Sequence, residues 1–431
     1  YDGEAGEGLA EGVTSCAAVV GVVDGDYVQR GPPACMPKSR GAGKACRWGV
    51  GAVFVLPVCY ATGSAEYFAL GAVSLLDMRG IVDCICFGSE CDDLEAMSRA
   101  ADILLKEPKE YQALLRSSLK EGNPFPAARQ KALAAYTGST DIARILTEPN
   151  NILGIEYLKA LKKLGSSMTP YTIQRRGAGY HDRELAGRFS SASAIRSLLA
   201  YSGSSLRTEQ TGGTFDNIPF SNVLDDLENQ VPSSCLSLLK DYHRVQYPIY
   251  QNDFSLLLKY KLLNKRTESL LRYMDVSDEL ANRICARLDD FFNFKQFAEL
   301  LKTREMTRTR INRALLHIML GIKKNNVQEY MDGGYHFYAR LLGVRKDQDR
   351  ILSEISGKSS LPLLARLSDD GQLSETGRKM LCHDILASNL STSVVTDKYR
   401  TAFQNAYRQA RTKERPPKFL QTVSSPLIFT L

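Results

Sequence analysis

Three short apolar runs most constrain the fold of this 431-residue chain: "SCAAVVGVV" (residues 15–23), "AVFVLPV" (52–58) and "IVDCICFG" (81–88). Continuous β-branched runs of this length suit parallel strands covered on both faces. Between the second and third lies "GSAEYFALGAVSLLDMRG", in which Ala65, Phe68, Ala69, Ala72, Val73 and Leu76 recur at the spacing of one helical face. The pattern predicts a strand, helix, strand unit with a right-handed crossover.

Helical signals follow in "DDLEAMSRAADILL", "PKEYQALLRSSLKEG", "FPAARQKALAAY" and "EPNNILGIEYLKALKKLG". In the last, Pro149 with Asn150 or Asn151 opens a helix and Gly165 closes it. The strand-like "PYTIQRR" comes next, then the loop "GAGYHDREL" and the serine-rich helix "SSASAIRSLLA". Residues 1–203 therefore read as an α/β domain with a Rossmann-like parallel sheet. After the flexible "GSSLRTEQTGG" the patterns turn helical, so residues 204–431 are expected to form an all-α C-terminal domain. In that half Thr307 is placed to cap a helix with Ile311, Ala314, Leu315, Ile318 and Met319 as its buried stripe.

Composition narrows the function classes. Hydrophobic residues make up 44% and charged residues 24%, and no apolar run reaches the eighteen residues a membrane span needs. Ten scattered cysteines, several in strand-like segments, fit a reducing cytoplasm, and no basic and apolar leader opens the chain. "CICFGSEC" has no second Cys-x-x-Cys or nearby histidine to complete a tetrahedral site, so no metal ligands are assigned. The net charge is +7, and seven basic residues against one acid lie between Lys398 and Lys418. That segment is either a solvated tail or an arm for a phosphate backbone.

Ligands of a doubly wound sheet lie beyond the carboxyl ends of its strands. Gly88 ends the third run and is either a turn glycine or a gap through which a base or ribose meets the backbone. Asn150 is either a helix cap or an amide for an adenine edge. Arg175 and Arg176 end "TIQRR", and side-chain alternation sends one to each face of the sheet. Ser191 and Ser193 suit a helix N-terminus, where unpaired N–H groups favour either a capping hydroxyl or an anion, and Arg196 stands one turn inside.

The segments "YVQRG", "LPVCYATGSAEYFALGAV", "EPNNILGIEYLKAL", "TIQRRGAGYHD" and "SSASAIRSLL" together resemble the bacterial tRNA(Met) cytidine acetate ligase family, relatives of the H-x-G-H nucleotidyltransferases. The likeness is closest over residues 27–199. It implies an ATP-dependent, cytoplasmic enzyme that uses Mg2+ with ATP, joins acetate to AMP and acetylates the wobble cytidine of elongator tRNA(Met). By motif, Gly88, Asn150, Arg175 and Arg176 would contact the nucleotide. Ser191, Ser193 and Arg196 match the superfamily's serine-rich triphosphate signature, and the helical half with its basic segment would grip tRNA.

The family opens on a strand ending in "EYNPFHNGH", whose two histidines stabilise the α-phosphate. Here the earliest of five histidines is His181, and the opening "YDGEAGEGLAEG" lacks the apolar residues of a strand. The catalytic residues thus stay unassigned, as do His181 and Asp182. The second reading is an inactive or truncated homologue that retains ATP or RNA binding. The glycine-rich, basic start of "MPKSRGAGKACRWGVG" favours an incomplete or misread N-terminus over a specialised inactive variant.

Overall fold

A computed structural model describes residues 18–47, 49–77, 82–175, 190–201, 220–228, 230–303, 305–348 and 350–401. It begins with β1 (Val20–Val23), α1 (Lys38–Arg47) and β2 (Ala52–Val55), then α2 (Val58–Ala61), α3 (Ala65–Asp77) and β3 (Cys84–Ser89). Five helices follow: α4 (Leu94–Lys106), α5 (Lys109–Lys120), α6 (Phe125–Thr137), α7 (Thr140–Arg144) and α8 (Pro149–Leu164). Then come β4 (Thr169–Gln174) and α9 (Ala192–Tyr201).

The second half runs α10 (Phe220–Leu227), α11 (Ser233–Tyr242), α12 (Ser255–Leu263), α13 (Thr267–Leu270), α14 (Asp278–Ala286) and α15 (Phe294–Leu300). It continues with α16 (Arg308–Leu320), α17 (Lys324–Asp332), β5 (Ala339–Val344), α18 (Arg350–Lys358), β6 (Leu363–Leu364) and the long α19 (Glu375–Tyr399).

The expected strands form where the apolar runs lie, with trimmed ends. The run at 52–58 stops at Val55 because Pro57, at φ −51° and with no N–H to donate, opens α2 instead. β1 and β2 pair in parallel, from Val20 opposite Ala52 to Val23 opposite Val55. β3 and β4 also pair in parallel, from Cys84 opposite Thr169 to Ser89 opposite Gln174. Pro170 suits β4, which pairs with β3 alone among the described residues.

One correction applies to the all-helical expectation for residues 204–431. β5 lies antiparallel to β2, with Phe54 opposite Leu341 and Val55 opposite Arg340, and β6 pairs with β5, so this sheet is mixed in the order β1-β2-β5-β6. All four residues of β2 are buried, and an unpaired outer edge there would strand its N–H and C=O groups away from water. The short apolar run Leu341, Leu342 and Val344 closes that edge, and it is too brief to separate from a helical turn by periodicity.

One apolar core runs from Phe54 and Leu75 through Ile155 to Leu315, Tyr338 and Val394. A smaller one gathers Leu199 of α9 with Val223, Leu227, Leu239 and Tyr247. Buried polar groups fasten α19 to the first half. Asp384 accepts from the Val58 N–H at 2.7 Å and the Tyr338 hydroxyl at 2.7 Å, and Lys38 reaches Asp26 at 2.8 Å and the Ser388 hydroxyl. Thr307 caps α16 as expected, its hydroxyl accepting from the Arg310 N–H at 3.3 Å, above a buried stripe of Ile311, Ala314, Leu315 and Ile318.

Lys398, the first of the basic series, departs from both of its expected roles. It is buried against Asp253 at 2.8 Å and over the Tyr250 ring at 4.7 Å, because the end of α19 packs inward. Arg400, the next of the series, is exposed at the end of α19, and residues 402–431, with the five basic residues from Arg408 to Lys418, lie outside the described residues. Among the described residues no helix is long and apolar enough to cross a membrane.

Candidate functional site

The carboxyl end of β3 is built by close packing against α8. Ile85, Phe87 and Ser89 alternate toward the buried side of β3, and the Phe87 ring lies 5.5 Å from that of Tyr157. Gly154 permits the approach, since a Cβ there would fall 2.3 Å from the Met97 Cε and 2.7 Å from the Phe87 ring. The N-terminus of α8 is thereby set beside the turn that follows β3.

That turn and that helix start exchange hydrogen bonds. Pro149 occupies the first position of α8, and Glu148 before it makes no side-chain cap. Glu90 supplies the missing acceptor from outside the helix: its Oε2 takes the Asn151 N–H at 2.9 Å and its Oε1 takes the Asn150 Nδ2 at 2.5 Å. An anion in this position also meets the positive end of the helix dipole. In return the buried Asn151 Oδ1 accepts from the N–H groups of Glu90 at 2.8 Å and Cys91 at 3.1 Å. Ser89 completes the turn, pairing with Thr172 at 2.6 Å and accepting from the Asp92 N–H at 3.0 Å.

Gly88 and Arg175 belong to the same corner. The Arg175 N–H donates to the Ser89 carbonyl at 2.9 Å, and a Cβ on Gly88 would meet the Arg175 Cγ at 3.3 Å. The bare backbone at Gly88 therefore faces the arginine stem.

Ser191 and Arg196 form a second group. The buried Ser191 hydroxyl accepts from the Ala194 N–H at 3.0 Å, which is a capping contact, and its carbonyl takes the Ile195 N–H. Ile195, Leu198 and Leu199 anchor α9 in the smaller core and leave Arg196 exposed on the other side. Arg196 lies against Asp24, just past β1, and against the Cys35 thiol. Burial pushes the Asp24 carboxyl up to about 7, opposed by the Gln29 N–H and by Arg196, and its Oδ1 has no hydrogen-bond partner. Burial likewise raises the Cys35 thiol, again against Arg196. Asp24 in turn adds to the burial that lifts the Tyr157 hydroxyl, which ties this group to α8.

Of the residues singled out in the sequence, Gly88, Asn150 and Arg175 thus meet at one corner, while Ser191 caps α9 and Arg196 faces Asp24 just past β1. Arg176 and the Ser193 side chain lie outside the described residues, as do His181 and Asp182. Sequence reasoning read Asn151 only as an alternative helix start and missed Glu90 and Asp24 as site residues. Glu90 directly follows "FGS" and Asp24 opens "DGD" after a strand run, so in both a carboxylate at a strand end was the available signal.

The chain is similar to known proteins along most of its length. The HIGH Nucleotidyl Transferase family matches residues 9–406. The chain is 39% identical over 394 residues to the tRNA(Met) cytidine acetate ligase of Caldanaerobacter subterraneus subsp. tengcongensis, covering 91% of this chain and 90% of the relative. It is 38% identical over 396 residues to that of Thermoanaerobacter sp. strain X514, with the same two coverages. The crystal structure of apo Thermotoga maritima TmcAL superposes with a TM-score of 0.80 at 28% identity, over 90% of each chain. The form bound with alpha-thio ATP gives 0.78 at the same identity and coverage. The family match, the identities and the superposition agree along nine-tenths of the chain, which belongs to the tRNA(Met) cytidine acetate ligase family of HIGH nucleotidyltransferases.

Proposed function

We propose that the protein is an ATP-dependent acetate ligase that makes acetyl adenylate and acetylates the wobble cytidine of elongator tRNA(Met). The observation that carries this reading is the corner at the end of β3, where Glu90 organises Asn150 and Asn151 beside Gly88 and Arg175. A relative of the same fold binds alpha-thio ATP, and the curated relatives are named for the tRNA reaction.

In the first half-reaction an acetate oxygen attacks the α-phosphorus of ATP and pyrophosphate leaves. In the second, the exocyclic amine of cytidine attacks the acetyl carbonyl, AMP leaves and the amine gives up a proton. Asn150 would meet the adenine edge, and Arg175, Arg176 and Arg196 would offset phosphate charge. Ser191 and Ser193 would hold the triphosphate side of α9. Mg2+ would travel with ATP, since phosphate oxygens and water supply most of its ligands.

The helical half, residues 204–431, is assigned to tRNA. Arg308 and Arg310 are exposed at the start of α16. Tyr260 is 70% exposed and Phe292 82%, and they directly follow Lys259 and Phe291 in the chain, which contact each other. Exposed aromatic rings suit stacking with unpaired bases of a folded RNA. On this reading the protein works in the cytoplasm, where tRNA is modified.

The deciding experiment is acetate-dependent exchange of labelled pyrophosphate into ATP with Mg2+ and no tRNA. Exchange above background supports adenylation by a chain whose earliest histidine is His181. ATP binding without exchange supports the second reading, a homologue that retains the nucleotide site without the chemistry.

A further inference from the structure

Asn150 carries one hydrogen-bond acceptor and two donors on a planar amide, and the two ends look alike in shape. Which end meets a ligand is decided by what holds the other. Here the holder is a carboxylate, which only accepts, so the Asn150 amide must turn its NH2 toward Glu90 and its carbonyl oxygen away. Glu90 cannot easily yield. Its second oxygen is fixed by the Asn151 N–H at 2.9 Å, and its backbone N–H is fixed by the buried Asn151 Oδ1 at 2.8 Å. The turn beneath is pinned in turn by Ser89 to Thr172 and to the Asp92 N–H.

The 6-position edges of adenine and hypoxanthine present opposite patterns to such an amide. Adenine offers an N–H at position 6 and an acceptor at N1, whereas a 6-oxopurine offers an acceptor at position 6 and an N–H at N1. An amide free to flip would serve either base. One whose NH2 is partly committed to a carboxylate can match only the first.

We infer that Glu90 is a positioning residue that locks the Asn150 amide so that the site selects a 6-aminopurine nucleotide over a 6-oxopurine nucleotide. The inference rests on the reading of Asn150 as the base contact. It assigns to Glu90 a role in selectivity beyond its role as a helix cap.

The test compares ATP with ITP, which differ only at this edge, by calorimetric titration of the full chain in the presence of Mg2+. The variants are Glu90→Gln and Asn150→Ala. Glu90→Gln keeps an acceptor for the Asn151 N–H and adds a donor that can hold a flipped Asn150. Loss of its charge acts on the phosphates of both nucleotides alike, so the ratio of affinities isolates the base.

Wild type is expected to prefer ATP by about tenfold or more, and Glu90→Gln to shrink that preference by about tenfold. Thermal melts of the unliganded proteins show whether the variant keeps its fold, and a purely structural role would change the melt without changing the ratio. An ATP to ITP ratio unmoved in folded Glu90→Gln, together with weakened ATP binding in Asn150→Ala, overturns the positioning role while leaving the base contact in place. ATP affinity unchanged in Asn150→Ala overturns the base contact and the inference with it. A wild type that binds neither nucleotide does the same.

Discussion

Gly154 of α8 lies so close over Phe87 of β3 that a Cβ on the glycine would sit 2.7 Å from the ring. Gly154→Ala must therefore push α8 away from β3 or displace both Met97 and the Phe87 ring, an overpacking that costs about 1–3 kcal/mol. Urea unfolding should show that loss. Because Glu90 and Asn151 bridge the same two elements, ATP affinity should fall with it.

Asp24 gives a pH dependence of defined sign. Its carboxyl is held at about 7 in the folded protein, against 3.8 for the ordinary group, so the folded state keeps a proton that the unfolded chain releases. The stability this lends is complete below the ordinary value and is lost as the pH rises through about 7. Asp24→Asn, which stays uncharged, should unfold with a flatter profile between pH 5 and pH 8, gaining roughly 2 kcal/mol on wild type at the alkaline end. Denaturant midpoints across that range check it.

Asp384 joins α19 to the first half through the Val58 N–H and to the segment before β5 through the Tyr338 hydroxyl, each at 2.7 Å. Asp384→Ala leaves both donors buried without an acceptor, and a loss of about 3 kcal/mol is expected. A lowered melting temperature measures it. Substitution of the exposed Glu354, which pairs with Arg350 on the surface of α18, should change stability far less.

If the helical half grips tRNA, Tyr260→Ala and Phe292→Ala should each weaken tRNA binding by several-fold while leaving ATP affinity unchanged. Arg308→Ala should instead reduce the salt dependence, lowering the slope of affinity against salt by about one. Filter binding at several salt concentrations separates the two effects.

Much of the fold was legible because its strands are continuous apolar runs and its helices show a one-sided stripe, as in β3 and α16. β5 was hidden since its pairing with β2 is a long-range event, and Leu341, Leu342 and Val344 look locally like a helical turn. At the candidate site, Asn150, Gly88 and Arg175 could be picked out as polar or bare positions at element ends. Glu90 could not be, because its importance comes from the Asn150 amide and the Asn151 N–H sixty residues away in the chain. Lys398 misled for the converse reason. In sequence it begins a basic series, and only the fold brings Asp253 and Tyr250 against it.

The pairing of β2 with β5 also bears on how the chain is made. Phe54 waits for Leu341, so on the ribosome the buried edge of β2 stays open until the chain has been made through β5, far along from β2. Such distant partners raise the contact order and slow the final assembly step. During that interval β2 is an unpaired apolar edge, a state prone to misassociation with other nascent chains. Late closure by β5 thus makes the second half of the protein a condition for the first half to finish folding.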